Sequence, residues 1–153
     1  MTVMTYPRRE LQQLDEAMLL SIPEGRYAWQ PDSETPLTFI WIRDYTFGKR
    51  LGSRRIRTQH GPWFEDALTR QVSGKITIWD SEIENVLVGV FCGRNEAAMR
   101  YATELGNCCR CNADLTLERS RFYGIGPECE ELRPDYMDDV ILLKGTYEES
   151  LQS

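Results

Sequence analysis

With 153 residues, 41% of them hydrophobic and 27% charged, the chain has an ordinary globular composition and fits one domain, or two small subdomains sharing a core. No run approaches the ~18 apolar residues of a membrane-spanning helix. The first twenty residues carry Arg8, Arg9, Glu10, Asp15 and Glu16 where an export signal would be apolar, so a cytoplasmic location is expected. The net charge of −6 is concentrated at one end: Glu128, Glu130, Glu131, Asp135, Asp138, Asp139, Glu148 and Glu149 face only Arg133 and Lys144, and the remaining residues balance.

In chain order, residues 8–21 predict an amphipathic helix, because Leu11, Leu14, Met18 and Leu19 recur at helical spacing between Pro7 and Pro23. Residues 25–30 and 37–45 are rich in β-branched and aromatic side chains and read as strands, with 53–59 returning as a third that turns Ile56 inward. Residues 63–72 read as a short helix and 75–79 as a fourth strand. Ile83, Val86, Leu87, Val90 and Phe91 form a helical stripe capped by Asp80 or Ser81 and ended by Gly93. A second helix capped by Asn95 carries Ala98, Tyr101, Ala102 and Leu105 on one face and stops at Gly106. Beyond Cys129 the chain is acidic, its one apolar run, 140–143, fits a strand or a short helix, and residues 145–153 are expected to fray. The fold class is therefore α+β: an N-terminal helix and small antiparallel sheet, then two helices and a C-terminal cysteine-rich segment. The divisions are 1–79, 80–133 and an acidic tail at 134–153, all within one compact unit.

Five cysteines without an export signal argue against a disulfide framework, and four of them cluster at Cys108, Cys109, Cys111 and Cys129. Cys108 and Cys111 form a C-x-x-C pair, a spacing at which one tight turn presents two thiolates to a tetrahedral metal. Residues 124–129, Gly-Ile-Gly-Pro-Glu-Cys, supply the third sulfur: the glycines permit a sharp reversal, and Pro127 starts a helical turn with Cys129 in it. Structural zinc takes four ligands. The candidates for the fourth are Cys92 at the end of the preceding helix, Cys109, the single histidine His60, or a carboxylate such as Glu128. Zinc binding is expected to be coupled to folding of the last third of the chain.

The run from Leu105 to Thr116, Ser120 and the Gly-Ile-Gly-Pro-Glu-Cys segment together resemble a small zinc-knuckle family of unknown function found in actinobacterial and bacteriophage proteins. The resemblance covers about a fifth of the chain. It implies that Cys108, Cys111 and Cys129 are the family's cysteines and that Cys109 is an extra one. It assigns no activity.

Arg43, Lys49, Arg50, Arg54, Arg55 and Arg57 fall within residues 43–57 and are opposed there only by Asp44, with Trp41, Tyr45 and Phe47 interleaved. On a hairpin, alternate residues share a face, so Arg43 with Tyr45 and Arg55 with Arg57 build a basic, aromatic surface suited to phosphates and unpaired bases. A solvated strand face over core aromatics explains the same pattern, and so does an intramolecular contact with the acidic tail. No phosphate loop, metalloprotease motif or nucleophile elbow is present. Cys92-Gly-Arg lacks the glutamate of a zinc deaminase, so an enzyme is not expected. The expected roles are a phage-type accessory protein that binds nucleic acid through the arginine-rich hairpin, or a module that binds or modulates a host protein.

Overall fold

Alternating burial along residues 25–78 folds this part of the chain into a five-stranded antiparallel meander. In a computed structural model, which describes residues 13–60 and 63–152, the strands are β1 (Gly25–Trp29), β2 (Thr38–Asp44), β3 (Arg54–His60), β4 (Trp63–Arg70) and β5 (Ile76–Ile78), in sheet order β1-β2-β3-β4-β5. Tyr27, Ile40, Ile42, Ile56, Leu68 and Ile78 turn to one side and are fully buried. Leu19 and Ile22, with Ile83, Leu87 and Val90, join them in a single apolar cluster.

Around the sheet are α1 (Glu16–Ser21), α2 (Ile83–Cys92), α3 (Arg94–Leu105), α4 (Glu118–Tyr123), α5 (Pro127–Glu130), α6 (Pro134–Lys144) and α7 (Tyr147–Ser150). This is the expected α+β class. The expected first helix lies partly outside the described residues. Residues 13–15 are described and are not helical: α1 starts at Glu16, capped by Asp15, whose Oδ1 accepts the Met18 amide at 2.8 Å. α2 begins after Asp80 and Ser81 rather than directly on them: Asp80 Oδ1 accepts from the Glu82 amide, and its carbonyl accepts from Ile83. Gly89 lets α2 lie against the sheet, because a Cβ there would meet Trp29 Nε1 at 1.7 Å.

Three sequence expectations are corrected. Residues 63–72 form a strand, not a helix. The register of β3 against β4 shifts between Ile56 and Arg57, so Ala67 and Leu68 are buried side by side; with Phe64 they reproduce the i, i+3, i+4 spacing of a helix. Asn95 does not cap α3, whose N-cap is Gly93. It is buried in the first turn and donates through Nδ2 to Asp139 of α6. Residues 145–152 are not frayed: Thr146 caps α7, and the Tyr147 amide donates to Tyr123 Oη at 2.7 Å. Residues 140–143 lie within α6, whose Tyr136 and Val140 are fully buried.

β1 is a sheet edge, and its free backbone groups are used. Arg26 N–H donates to the Cys109 carbonyl at 2.7 Å, and the Ala28 carbonyl accepts from Arg100 of α3 at 2.9 Å. Both contacts blunt an edge that would otherwise present open hydrogen-bonding groups.

Arg54 is the buried cation of the sheet, with only 5% of its surface exposed. Its guanidinium pairs with both oxygens of Asp44 and donates from Nη1 to the carbonyls of Leu19 and Ile22 at 2.8 and 2.7 Å. It ties the end of α1 to the β2–β3 hairpin. Arg54→Ala would leave two buried carbonyls and Asp44 unpaired, so it should cost about 3 kcal/mol in urea unfolding.

Candidate metal centre and basic sheet face

Two backbone devices bring the cysteines together. α3 stops at Gly106, a left-handed residue (φ 71°) whose amide donates to the Ala102 carbonyl. A small hairpin follows, in which Cys108 N–H donates to Ala113 at 2.8 Å and Leu115 N–H to Gly106 at 3.0 Å. Asn112 closes its turn with φ 66°, the one positive value at a non-glycine among the described residues. Asparagine tolerates that conformation better than most side chains. Here its amide donates to the Cys108 carbonyl, and its Oδ1 accepts from Tyr101 Oη at 2.6 Å.

The second device is the Gly124–Pro127 reversal. Gly124 ends α4 with φ 79°, and a Cβ there would stand 2.9 Å from both Ala102 Cβ and Tyr136 Oη. Pro127 opens α5 and places Cys129 in its first turn.

The result is a cluster in which the sulfurs of Cys108, Cys111 and Cys129 all lie within 4.8 Å of one another, and which can hold a metal ion. The backbone already treats Cys108 as an anion. Its sulfur receives the Gly126 amide at 3.4 Å and the Arg110 amide at 3.5 Å. Burial pushes the Cys108 thiol up, but amide hydrogen bonds from Cys111, Gly126 and Arg110 outweigh it and bring the pKa below the ordinary thiol value. Cys129 is raised to about 11, by burial first, although Arg110 donates to its sulfur at 3.5 Å. This donor set fits a thiolate-bound ion: three sulfurs from two turns, with N–H groups directed at the sulfur of Cys108.

Cys109 lies outside the cluster. It is buried in the core, and its thiol is raised to about 12 by burial and by the neighbouring Cys108. Its role is in the backbone, where its amide donates to Gly124 and its carbonyl receives Arg26. Cys92 is exposed at the end of α2 and is not among the sulfurs brought together. The twelve residues of α3 separate it from the hairpin, about 18 Å of helix. It lines a different groove, beside Phe91 and Leu142. His60 pairs with Trp63 across the β3–β4 hairpin, and its side chain lies outside the described residues. Glu128 and Asp114 are exposed and share with the three cysteines a groove of about 260 Å³.

The hairpin arginines divide by strand parity. Arg54 points into the core. Arg43, Arg55 and Arg57 lie on the opposite face with Trp41 and Tyr45, in the cross-strand pairs Arg43–Arg55 and Trp41–Arg57. Arg26 of β1 joins them, and sequence reasoning missed it. It pairs with Trp41 across β1 and β2, a relation visible only once the register is known. The Arg26 guanidinium carbon sits 4.2 Å from the Trp41 ring centre, Arg57 lies at 5.4 Å and Arg43 at 5.9 Å. Asp66 accepts from both Arg55 and Arg57. Lys49 and Arg50 lie exposed in the β2–β3 loop, and the Arg50 guanidinium is 5.6 Å from the Tyr45 ring. Among the acids of the chain's end, Glu130 pairs with Arg119 and Asp135 with Arg133.

Residues 98–133 match the model of a family of unknown function, DUF6011. No curated protein and no solved structure matches the chain. No described helix is long and apolar enough to cross a membrane.

Cys108→Ser should lower bound metal, measured by elemental analysis of purified protein, from about one ion per chain to well below it, because a three-sulfur site loses a donor. Cys92→Ser should leave the ratio unchanged. Loss of metal in Cys92→Ser would show that Cys92 completes the site.

Proposed function

We propose that the protein is a zinc-stapled module that binds single-stranded nucleic acid across the outer face of its sheet, with no catalytic role. The observation that carries this reading is Trp41, half-buried on that face with the guanidinium groups of Arg26, Arg57 and Arg43 gathered around its ring. Unpaired bases stack on aromatic faces, and guanidinium groups neutralise phosphate and stack as well. Phe64 meets Trp41 edge-on at 6.2 Å and extends the aromatic surface. The acids of the chain's end lie in α5 to α7 and the segments joining them, which leaves the Trp41 face as the attractive one for a polyanion.

Zinc is the ion we assign to the cluster, because closed sites rich in cysteine thiolates on C-x-x-C turns are characteristic of it. Cys108, Cys111 and Cys129 would hold it, and the groove shared with Asp114 and Glu128 offers a carboxylate for the remaining position. Bound there, the ion would cross-link the α3–α4 hairpin to α5. This chain's own residues hold the cross-linked unit against the sheet.

Fluorescence anisotropy of labelled oligonucleotides at two salt concentrations tests the reading. Single strands should bind more weakly at higher salt, and Arg43→Glu with Arg57→Glu should weaken binding at least tenfold while the melting temperature changes little. Unchanged affinity in that double variant would reject the surface.

A second reading, a protein-interaction module, is favoured by one observation. Leu142 and Leu143 of α6 are 85% and 53% exposed beside the groove that contains Phe91 and Cys92. A stoichiometric protein complex that is lost in Leu142→Glu and survives nuclease treatment would move it to the front.

A further inference from the structure

At one end of the basic face the sheet runs into a concave site. The β2–β3 loop folds tightly on itself: Tyr45 N–H donates to Ser53 at 3.0 Å, Gly52 N–H to Tyr45 at 2.8 Å and Ser53 N–H to Arg50 at 2.8 Å. The β4–β5 turn is closed in the same way, by Gln71 N–H to Lys75 and Gly74 N–H to Gln71, each at 2.8 Å. The two turns touch where Gly52, at φ 84°, leaves room for Val72. A Cβ on Gly52 would stand 3.0 Å from Val72 Cγ2. Between them lies a groove of about 440 Å³, within the size range of small-molecule sites.

We infer that this groove is a pocket for one unpaired nucleotide, with Lys49 and Arg50 receiving the phosphate and Trp79 the base. Its floor is the cross-strand pair Arg55 and Thr69. Lys49 and Arg50 stand exposed at its rim, and Trp79, 40% exposed, forms one wall. Asp66 is the one acid in the lining, and it is already engaged by Arg55 and Arg57, so the groove keeps a positive field. Inorganic phosphate would use the cations and leave the indole idle. A nucleotide uses both, and Ser53 and Thr69 add hydroxyls for a sugar.

The inference rests on the nucleic-acid reading and extends it. Arg55 and Arg57 share Asp66, so the groove borders the Trp41 platform, and a strand crossing that platform would reach Trp79.

The test combines oligonucleotide anisotropy with quenching of tryptophan fluorescence by adenosine and cytidine monophosphates and by inorganic phosphate. Trp79→Ala and Lys49→Ala should each weaken single-strand binding, Trp79→Ala by about tenfold, and Trp79→Phe should restore most of it. Mononucleotides should quench the wild-type chain and fail to quench Trp79→Phe to the same extent. Full oligonucleotide affinity in both alanine variants, alongside weakened binding in Arg43→Glu with Arg57→Glu, overturns the pocket and leaves the platform standing. Inorganic phosphate that displaces mononucleotides at equal concentration reduces the groove to a simple anion site and also overturns it. Mononucleotide quenching without any oligonucleotide binding supports the pocket and rejects the platform. Neither kind of binding rejects both.

Discussion

The hydrogen bond from Arg26 N–H to the Cys109 carbonyl joins the sheet to the cysteine cluster. On one side is the edge of an antiparallel sheet, which must have its free backbone groups covered. On the other is the turn that gathers the sulfurs. The approach is close enough to exclude a side chain at Gly25, where a Cβ would lie 2.9 Å from the same carbonyl. One backbone hydrogen bond is worth only about 1 kcal/mol net. Its importance lies in position, because it fixes where the cysteine hairpin sits relative to Arg26, and Arg26 in turn lies against Trp41.

From that contact the C-terminal part builds outward. Cys109 passes the connection on through its amide to Gly124, so the α3–α4 hairpin and the turn before α5 are held in register. Tyr136 donates to the Tyr123 carbonyl, Lys144 to that of Phe122, and α6 thereby closes over α4. Three sulfurs gathered from two turns carry negative charge when ionised and repel one another. A bound cation would remove that repulsion, which is the physical reason to expect metal binding and folding to be coupled at such a cluster.

Much of this was legible in sequence. The C-x-x-C pair and the Gly-Ile-Gly-Pro-Glu-Cys run identify the three clustered cysteines, since turn chemistry at fixed spacing is a local property. β1, β2 and β3 were likewise visible from alternation. β4 was not, because an extra residue, Ala67, bulges opposite Ile56 and Arg57, buries two adjacent side chains and imitates a helical stripe. Asn95 has the chemistry of a cap, but a side chain that suits helix ends also suits a buried bond to Asp139, and only tertiary contact decides between them. The arginines show the same limit. Composition placed six cations in one segment, but strand parity sends Arg54 inward to three partners, and register adds Arg26 from a strand that composition did not mark.

We propose that an ion held by Cys108, Cys111 and Cys129 would stiffen the cysteine hairpin, and with it the Cys109 carbonyl that covers the sheet edge at Arg26. Amide hydrogen exchange at Arg26, before and after a chelator removes the metal, tests it most directly. Protection at Arg26 should fall together with that at Cys109 and Asn112, while the central strands stay protected. Complete loss of metal with Arg26 still fully protected would contradict it.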